Sequence, residues 1–131
     1  MISTEAVLAE LRTFGLTYPD AESKSPWPGH DDLAVRGKTF AYLSVGSDPF
    51  KISFKLPFTG GEALRLPFAS PTGYGLGKSG WVTFEPRSNE MPSMQQLKDW
   101  LDESYRAQAP KKLSMLIGQR PSRPPSQAPD N

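Results

Sequence analysis

Residues 50–56 alternate without a break. Phe50, Ile52, Phe54 and Leu56 fall on one side of an extended chain, and Lys51, Ser53 and Lys55 fall on the other. Side chains of a strand point to opposite faces in turn, so this period of two demands a strand with one apolar face and one polar face. It excludes an all-helical fold. It also requires further elements to cover the apolar side, because a lone hairpin is marginal in water. A preceding run, 39–45, alternates as well. Ala41, Leu43 and Val45 share one side, Phe40, Tyr42 and Ser44 the other, and Gly46-Ser47-Asp48-Pro49 between the two runs has turn chemistry. Together, 39–56 reads as a β-hairpin. Leu33 to Val35 reads as a shorter strand entering it through a turn at Arg36-Gly37-Lys38, and Trp81 to Glu85 as another, stopped by Pro86.

Two stretches carry the helical period instead. Val7, Leu8, Leu11 and Phe14 recur along 3–14, with Ser3 or Thr4 placed to cap the first turn and Gly15 placed to end the last in a left-handed conformation. In 94–108, Met94, Leu97, Leu101 and either Gln108 or Tyr105 form one stripe. Ser93 and Gln96 there have capping-box spacing, and Pro110 ends the run. Residues 59–66 and 112–117 read as shorter helical pieces. The irregular 16–32, with Pro19, Pro26, Pro28 and Gly29, has room for an edge strand, where proline is tolerated. The expected fold is therefore α+β: two helices packed on one face of an antiparallel sheet, with the other face left to water. The core is expected to hold Val7, Leu8, Leu11, Phe14, Ile52, Phe54, Val82, Phe84, Leu97 and Leu101.

A chain of 131 residues suits one domain. Residues 1–117 are read as that domain and 118–131 as a disordered tail, since four prolines with Gln, Arg, Ser and Asn offer nothing to bury. Without cysteine there are no disulfides, thiolate metal sites or cysteine nucleophiles, which suits a reducing cytoplasm. No apolar run is long enough to span a membrane, and no basic n-region opens the chain. A monomer is expected.

The residues for catalysis do not come together. The only histidine, His30, lies beside Asp31 and Asp32 in a Pro/Gly-rich loop, a poor frame for three or four convergent metal ligands. No serine sits in a nucleophile elbow. Asp102 and Glu103 are read as solvated helix-surface acids. Gly75-Leu76-Gly77-Lys78-Ser79 looks like the end of a P-loop, but position 72 is Thr and a strand follows where the motif needs a helix. Nucleotide hydrolysis is rejected, although the loop amides and Lys78 retain some capacity to meet a phosphate. Neither an enzyme nor a cofactor is expected. Charge is unevenly spread within a net +1: residues 1–32 hold six acids and two bases, whereas 33–90 hold seven bases and four acids.

Val35-Arg36-Gly37-Lys38-Thr39-Phe40-Ala41-Tyr42-Leu43 resembles the MmcQ/YjbR family. Further pieces follow in the family's order: Lys51-Ile52-Ser53-Phe54-Lys55, then Gly77-Lys78-Ser79-Gly80-Trp81-Val82, and a final helix carrying the Ser104-Tyr105 pair. The likeness runs over about residues 3–117, while 16–32 is more acidic and proline-rich than the family pattern and 57–73 is hard to align. The resemblance implies a two-layer fold similar to the frataxin/CyaY type, and it implies DNA binding. Frataxin-type iron sites use a dense acidic ridge on the first helix. That helix offers only Glu5 and Glu10 here, so iron is not expected.

Strand alternation supplies the candidate surface. If the apolar faces go inward, Lys51, Lys55, Trp81 and Tyr42 share the open sheet face, joined by Phe40, with Arg36, Lys38 and Lys78 in loops at its rim. Lysines attract phosphate and aromatic faces stack bases, so the expected function is weak polyanion contact through this face, in a DNA-binding or regulatory role. The alternative is a non-catalytic protein-interaction or small-ligand module without nucleic acid.

Overall fold

The computed structural model describes residues 3–25, 31–45 and 49–117. The expected tail, His30 and most of the 46–49 turn lie outside them. Helix α1 is Thr4–Gly15, followed by strands β1 (Ala21–Lys24), β2 (Asp32–Val35), β3 (Lys38–Leu43) and β4 (Ile52–Lys55). Then come a single helical turn α2 (Gly60–Ala63), β5 (Ala69–Pro71), β6 (Trp81–Phe84), the long helix α3 (Met94–Gln108) and α4 (Lys111–Leu116). The six strands form one antiparallel sheet in the order β1-β2-β3-β4-β6-β5. The chain is a meander as far as β4. The short β5 then takes the far edge and β6 returns between them, with Pro71 ending the edge strand, where a missing N–H costs no ladder bond.

The register places Ala41, Phe54 and Val82 in one row and Leu43, Ile52 and Phe84 in the next. All six are buried, and α1 and α3 cover them. Every expected core residue is buried except Phe14, which is half-buried at the α1 end with Lys98 over its ring. Phe84 stacks on Trp100 of α3 at 4.2 Å, and Phe54 lies 6.3 Å from Phe84. Both helices are capped at the expected side chains: Ser3 accepts from Ala6, and Ser93 from Gln96.

Three expectations are corrected. Gly15 stays in the helix instead of turning left-handed. Its value is closeness, since a Cβ there would collide with the Leu33 side chain. Phe40 does not join the outer face. Leu33 pairs with Ala41 while Ala34 pairs with Thr39, so Phe40 is the extra residue of a β-bulge. The bulge breaks alternation and turns Phe40 into the core against Tyr18 and Tyr105. Third, the second sheet face is not left to water. Ser53, Thr83 and Trp81 are buried there, and Thr83 Oγ1 lies 2.8 Å from both Ser53 Oγ and Thr72 Oγ1. These short hydroxyl side chains satisfy one another, and Tyr42 and Trp81 pack ring against ring at 5.1 Å beside them.

Among the described residues, no helix is long and apolar enough to cross a membrane.

Candidate functional site

One stretch of α3 organises one end of the sheet. Asp102, Glu103, Ser104 and Tyr105 are four consecutive buried residues, and at 100° per residue they sweep almost the whole helix circumference. The expectation of solvated Asp102 and Glu103 is therefore corrected. Asp102 accepts from the Tyr18 hydroxyl at 2.6 Å and from Arg106 at 2.7 Å. The Glu103 carboxylate accepts from the Phe58 and Thr59 amides and from the Thr59 hydroxyl, at 2.7, 3.0 and 2.7 Å. Ser104 accepts from the Lys55 amide at 2.8 Å and donates to the Phe40 carbonyl at 2.5 Å. The β3–β4 ladder ends at Ala41 and Phe54, and Phe40 and Lys55 are the residues one step beyond it, so the hydroxyl bridges the two strands where their pairing stops. Tyr105 donates to the Pro19 carbonyl at 2.7 Å. Burial, reinforced by Asp20 and opposed by Arg36 and Arg106, raises its phenol above the usual value.

This end of the sheet collects the start of β3, the finish of β4 and the start of β6. The 57–59 turn follows β4, and the 72–80 loop precedes β6 and is closed by the Thr72 amide on the Trp81 carbonyl. A Cβ on Gly80 would lie 3.8 Å from Pro57, so the two loops touch. The C-terminus of α3 joins them, since Gln108 donates to the Thr39 carbonyl at 2.9 Å and accepts from Lys55 Nζ at 3.5 Å.

The candidate cations divide between the two ends. Lys38 opens β3 and Lys78 lies in the 72–80 loop, both exposed; Lys55, half-buried, closes β4. Arg36, in the β2–β3 turn beside Lys38, pairs with Asp20 at 2.6 Å. These four share one end. Lys51 is at the other, where its amide donates to Ser44 Oγ and its carbonyl accepts from the Ser44 amide. About 13 Å of strand separates it from Lys55. Trp81 is at the right end but is only 4% exposed, and half-buried Tyr42 packs on it. A flat platform of Trp81, Tyr42 and lysines on the sheet face does not form.

The same end exposes residues that sequence reasoning missed. Phe58 is 88% exposed and Tyr74 fully exposed, and Lys111 and Lys112 open α4 just past Gln108. The signal was present: both aromatic residues sit among turn formers, Pro57-Phe58-Thr59-Gly60 and Gly73-Tyr74-Gly75, where an apolar side chain has nothing to pack against. Tyr74 also holds a left-handed φ of 59°, a conformation that glycine or asparagine adopts more cheaply.

Four of the glycine-rich loop's amides are engaged within the loop itself. Those of Leu76, Gly77, Lys78 and Gly80 donate to carbonyls of Gly73, Thr72, Gly75 and Gly77, which folds the segment into a 3-10 turn. Among the described residues no three acidic or histidine side chains converge as a metal site requires.

A family model described as YjbR matches residues 16–107. The Deinococcus radiodurans protein DR2400, described as a DUF419 domain, superposes with a TM-score of 0.68 at 21% identity, over 98% of this chain and 99% of that one. A Pseudomonas syringae protein superposes with a TM-score of 0.58 at 18% identity, over 76% of this chain and 96% of its own. At these identities the likeness establishes the fold alone. No curated protein matches the chain.

Proposed function

The chain belongs to the YjbR family, and we propose that it is a non-catalytic nucleic-acid-binding domain that meets the phosphate backbone through the Lys38–Lys55 end of its sheet. The observation that carries this reading is the convergence of Arg36, Lys38, Lys55, Lys78, Lys111 and Lys112 on neighbouring elements at one end. The acids there are fewer and mostly engaged: Asp20 holds Arg36, Glu103 is buried on the 57–59 turn, and Glu62 is exposed on α2. Lysines contact phosphate as point charges without reading bases, so binding is weak and largely sequence-independent. Neutralising about three or four phosphates gives a log–log salt slope of about −3 to −4.

The test is Lys38→Glu with Lys78→Glu, compared with Lys51→Glu at the opposite end. The double variant is expected to keep its fold, because both side chains are exposed, and to lose most binding at low salt. Lys51→Glu is expected to bind as the parent does. Equal binding by the double variant and the parent rejects the site. A second reading, a protein partner, is favoured by exposed Met115 and Leu116 on α4. It predicts binding that depends little on salt.

A further inference from the structure

We infer that the ligand of this end is single-stranded nucleic acid, with Phe58 and Tyr74 as the base-stacking groups. The inference rests on the proposed basic-end site and adds which form of nucleic acid it takes.

Three observations carry it. First, the two most exposed aromatic side chains among the described residues are on the two touching loops of this end, one on each. β4, which leads into one loop, and β6, which leaves the other, are paired neighbours about 5 Å apart. Second, neither ring position is demanded by the fold. Phe58 is anchored through its backbone amide to Glu103 while its ring stands in solvent. Tyr74 keeps a left-handed backbone between two glycines with its ring fully exposed. Folding gains little from an exposed ring, and Tyr74 carries a backbone penalty as well, so an external partner is the economical reason for both.

Third, apart from Arg36, which pairs with Asp20, the cations gathered at this end are lysines. Protein interfaces enrich aromatic residues and arginine but deplete lysine, so an aromatic pair set among Lys38, Lys55, Lys78, Lys111 and Lys112 fits a polyanion better than a protein surface. Rings beside a positive surface are the arrangement used on single strands, whose unpaired bases offer free faces. A duplex keeps its bases stacked inside and gives protruding rings nothing to cover.

The experiment is a fluorescence anisotropy titration at low salt with a labelled mixed-sequence single-stranded DNA, the RNA of the same sequence, and the corresponding DNA duplex. It uses the full chain, the Phe58→Ala/Tyr74→Ala variant and the Lys38→Glu/Lys78→Glu variant. The parent is expected to bind either single strand more tightly than the duplex. The aromatic variant, with an unchanged melting temperature, is expected to lose roughly ten-fold or more in single-strand affinity per ring, with duplex affinity unchanged. Ultraviolet cross-linking of the single strand is expected to map to Phe58 or Tyr74. If the lysine variant loses binding while the aromatic variant binds like the parent, or if the duplex is preferred, the stacking inference falls and the basic-end site stands. If neither strand form binds at low salt, both fall.

Discussion

The Ser104 hydroxyl accepts from the Lys55 amide at 2.8 Å, placing a helix side chain at the end of a sheet ladder. The same oxygen donates to the Phe40 carbonyl, so one buried atom satisfies a donor on β4 and an acceptor on β3 just beyond the Ala41–Phe54 pair that ends their ladder. Ser104→Ala leaves both backbone groups buried without partners. The expected loss is about 1–3 kcal/mol, read by urea denaturation as a lower midpoint at an unchanged slope. A loss below the error of the measurement would mean that water replaces the hydroxyl.

Glu103 fixes the turn that displays Phe58. Three bonds converge on its carboxylate, two of them from consecutive amides. Glu103→Ala is expected to cost about 2–3 kcal/mol, because bonds to an ionised acceptor are the stronger kind. Its diagnostic readout is local: amide hydrogen exchange at Phe58 and Thr59 should accelerate more than exchange in β4. Uniform acceleration throughout the sheet would mean that the carboxylate stabilises the fold as a whole and does not hold this turn.

Glycines provide an internal contrast. Gly15→Ala drives a methyl into Leu33 at the junction of α1 and β2 and is expected to destabilise by about 1–3 kcal/mol. Gly61→Ala, in α2 with nothing within 4 Å of the added carbon, is expected to be neutral or to stabilise by about 0.4–1 kcal/mol through the unfolded chain. Thermal melts of the two variants should therefore move in opposite directions or differ by several degrees.

The layer architecture was legible in the sequence because period-two and period-3.6 patterns report burial directly. Ile52, Phe54, Val82, Phe84, Leu97 and Leu101 all point where their spacing put them. Phe40 was not legible, since a bulge is set by pairing with β2 and leaves no mark on the alternation of β3 itself. Trp81 failed for a related reason. Alternation gives the face of a residue but not what stands beside it, and the ring of Tyr42 together with the Ser53–Thr83–Thr72 hydroxyls closes that face locally. Asp102 and Glu103 were misread because charge suggests solvent, while their partners Tyr18 and Thr59 lie 84 and 44 residues away in sequence. Lys51 and Lys55 share a strand parity, yet the length of β4 sends them to opposite ends of the sheet.

Tyr105 makes the stability of this fold fall at high pH. Its ring stacks on Tyr18 at 4.5 Å and meets Phe40 edge-on at 5.2 Å, and its hydroxyl donates to the Pro19 carbonyl. Ionisation would remove that donor and set a negative charge against a carbonyl oxygen. Burial raises its folded pKa above the ordinary tyrosine value of about 10, with Asp20 acting in the same direction and Arg36 and Arg106 against it. Between the unfolded value and the folded one, the unfolded chain has released the proton and the native chain still holds it. The native state then binds more protons, and stability must fall as pH rises through that window. The contribution is whole below about pH 10. Tyr105→Phe is expected to cost about 1 kcal/mol at neutral pH through the lost hydrogen bond and to have a shallower alkaline limb. Urea denaturation of parent and variant at pH steps from 7 to 11 should show their difference narrowing above pH 10. A constant difference would place the alkaline sensitivity elsewhere.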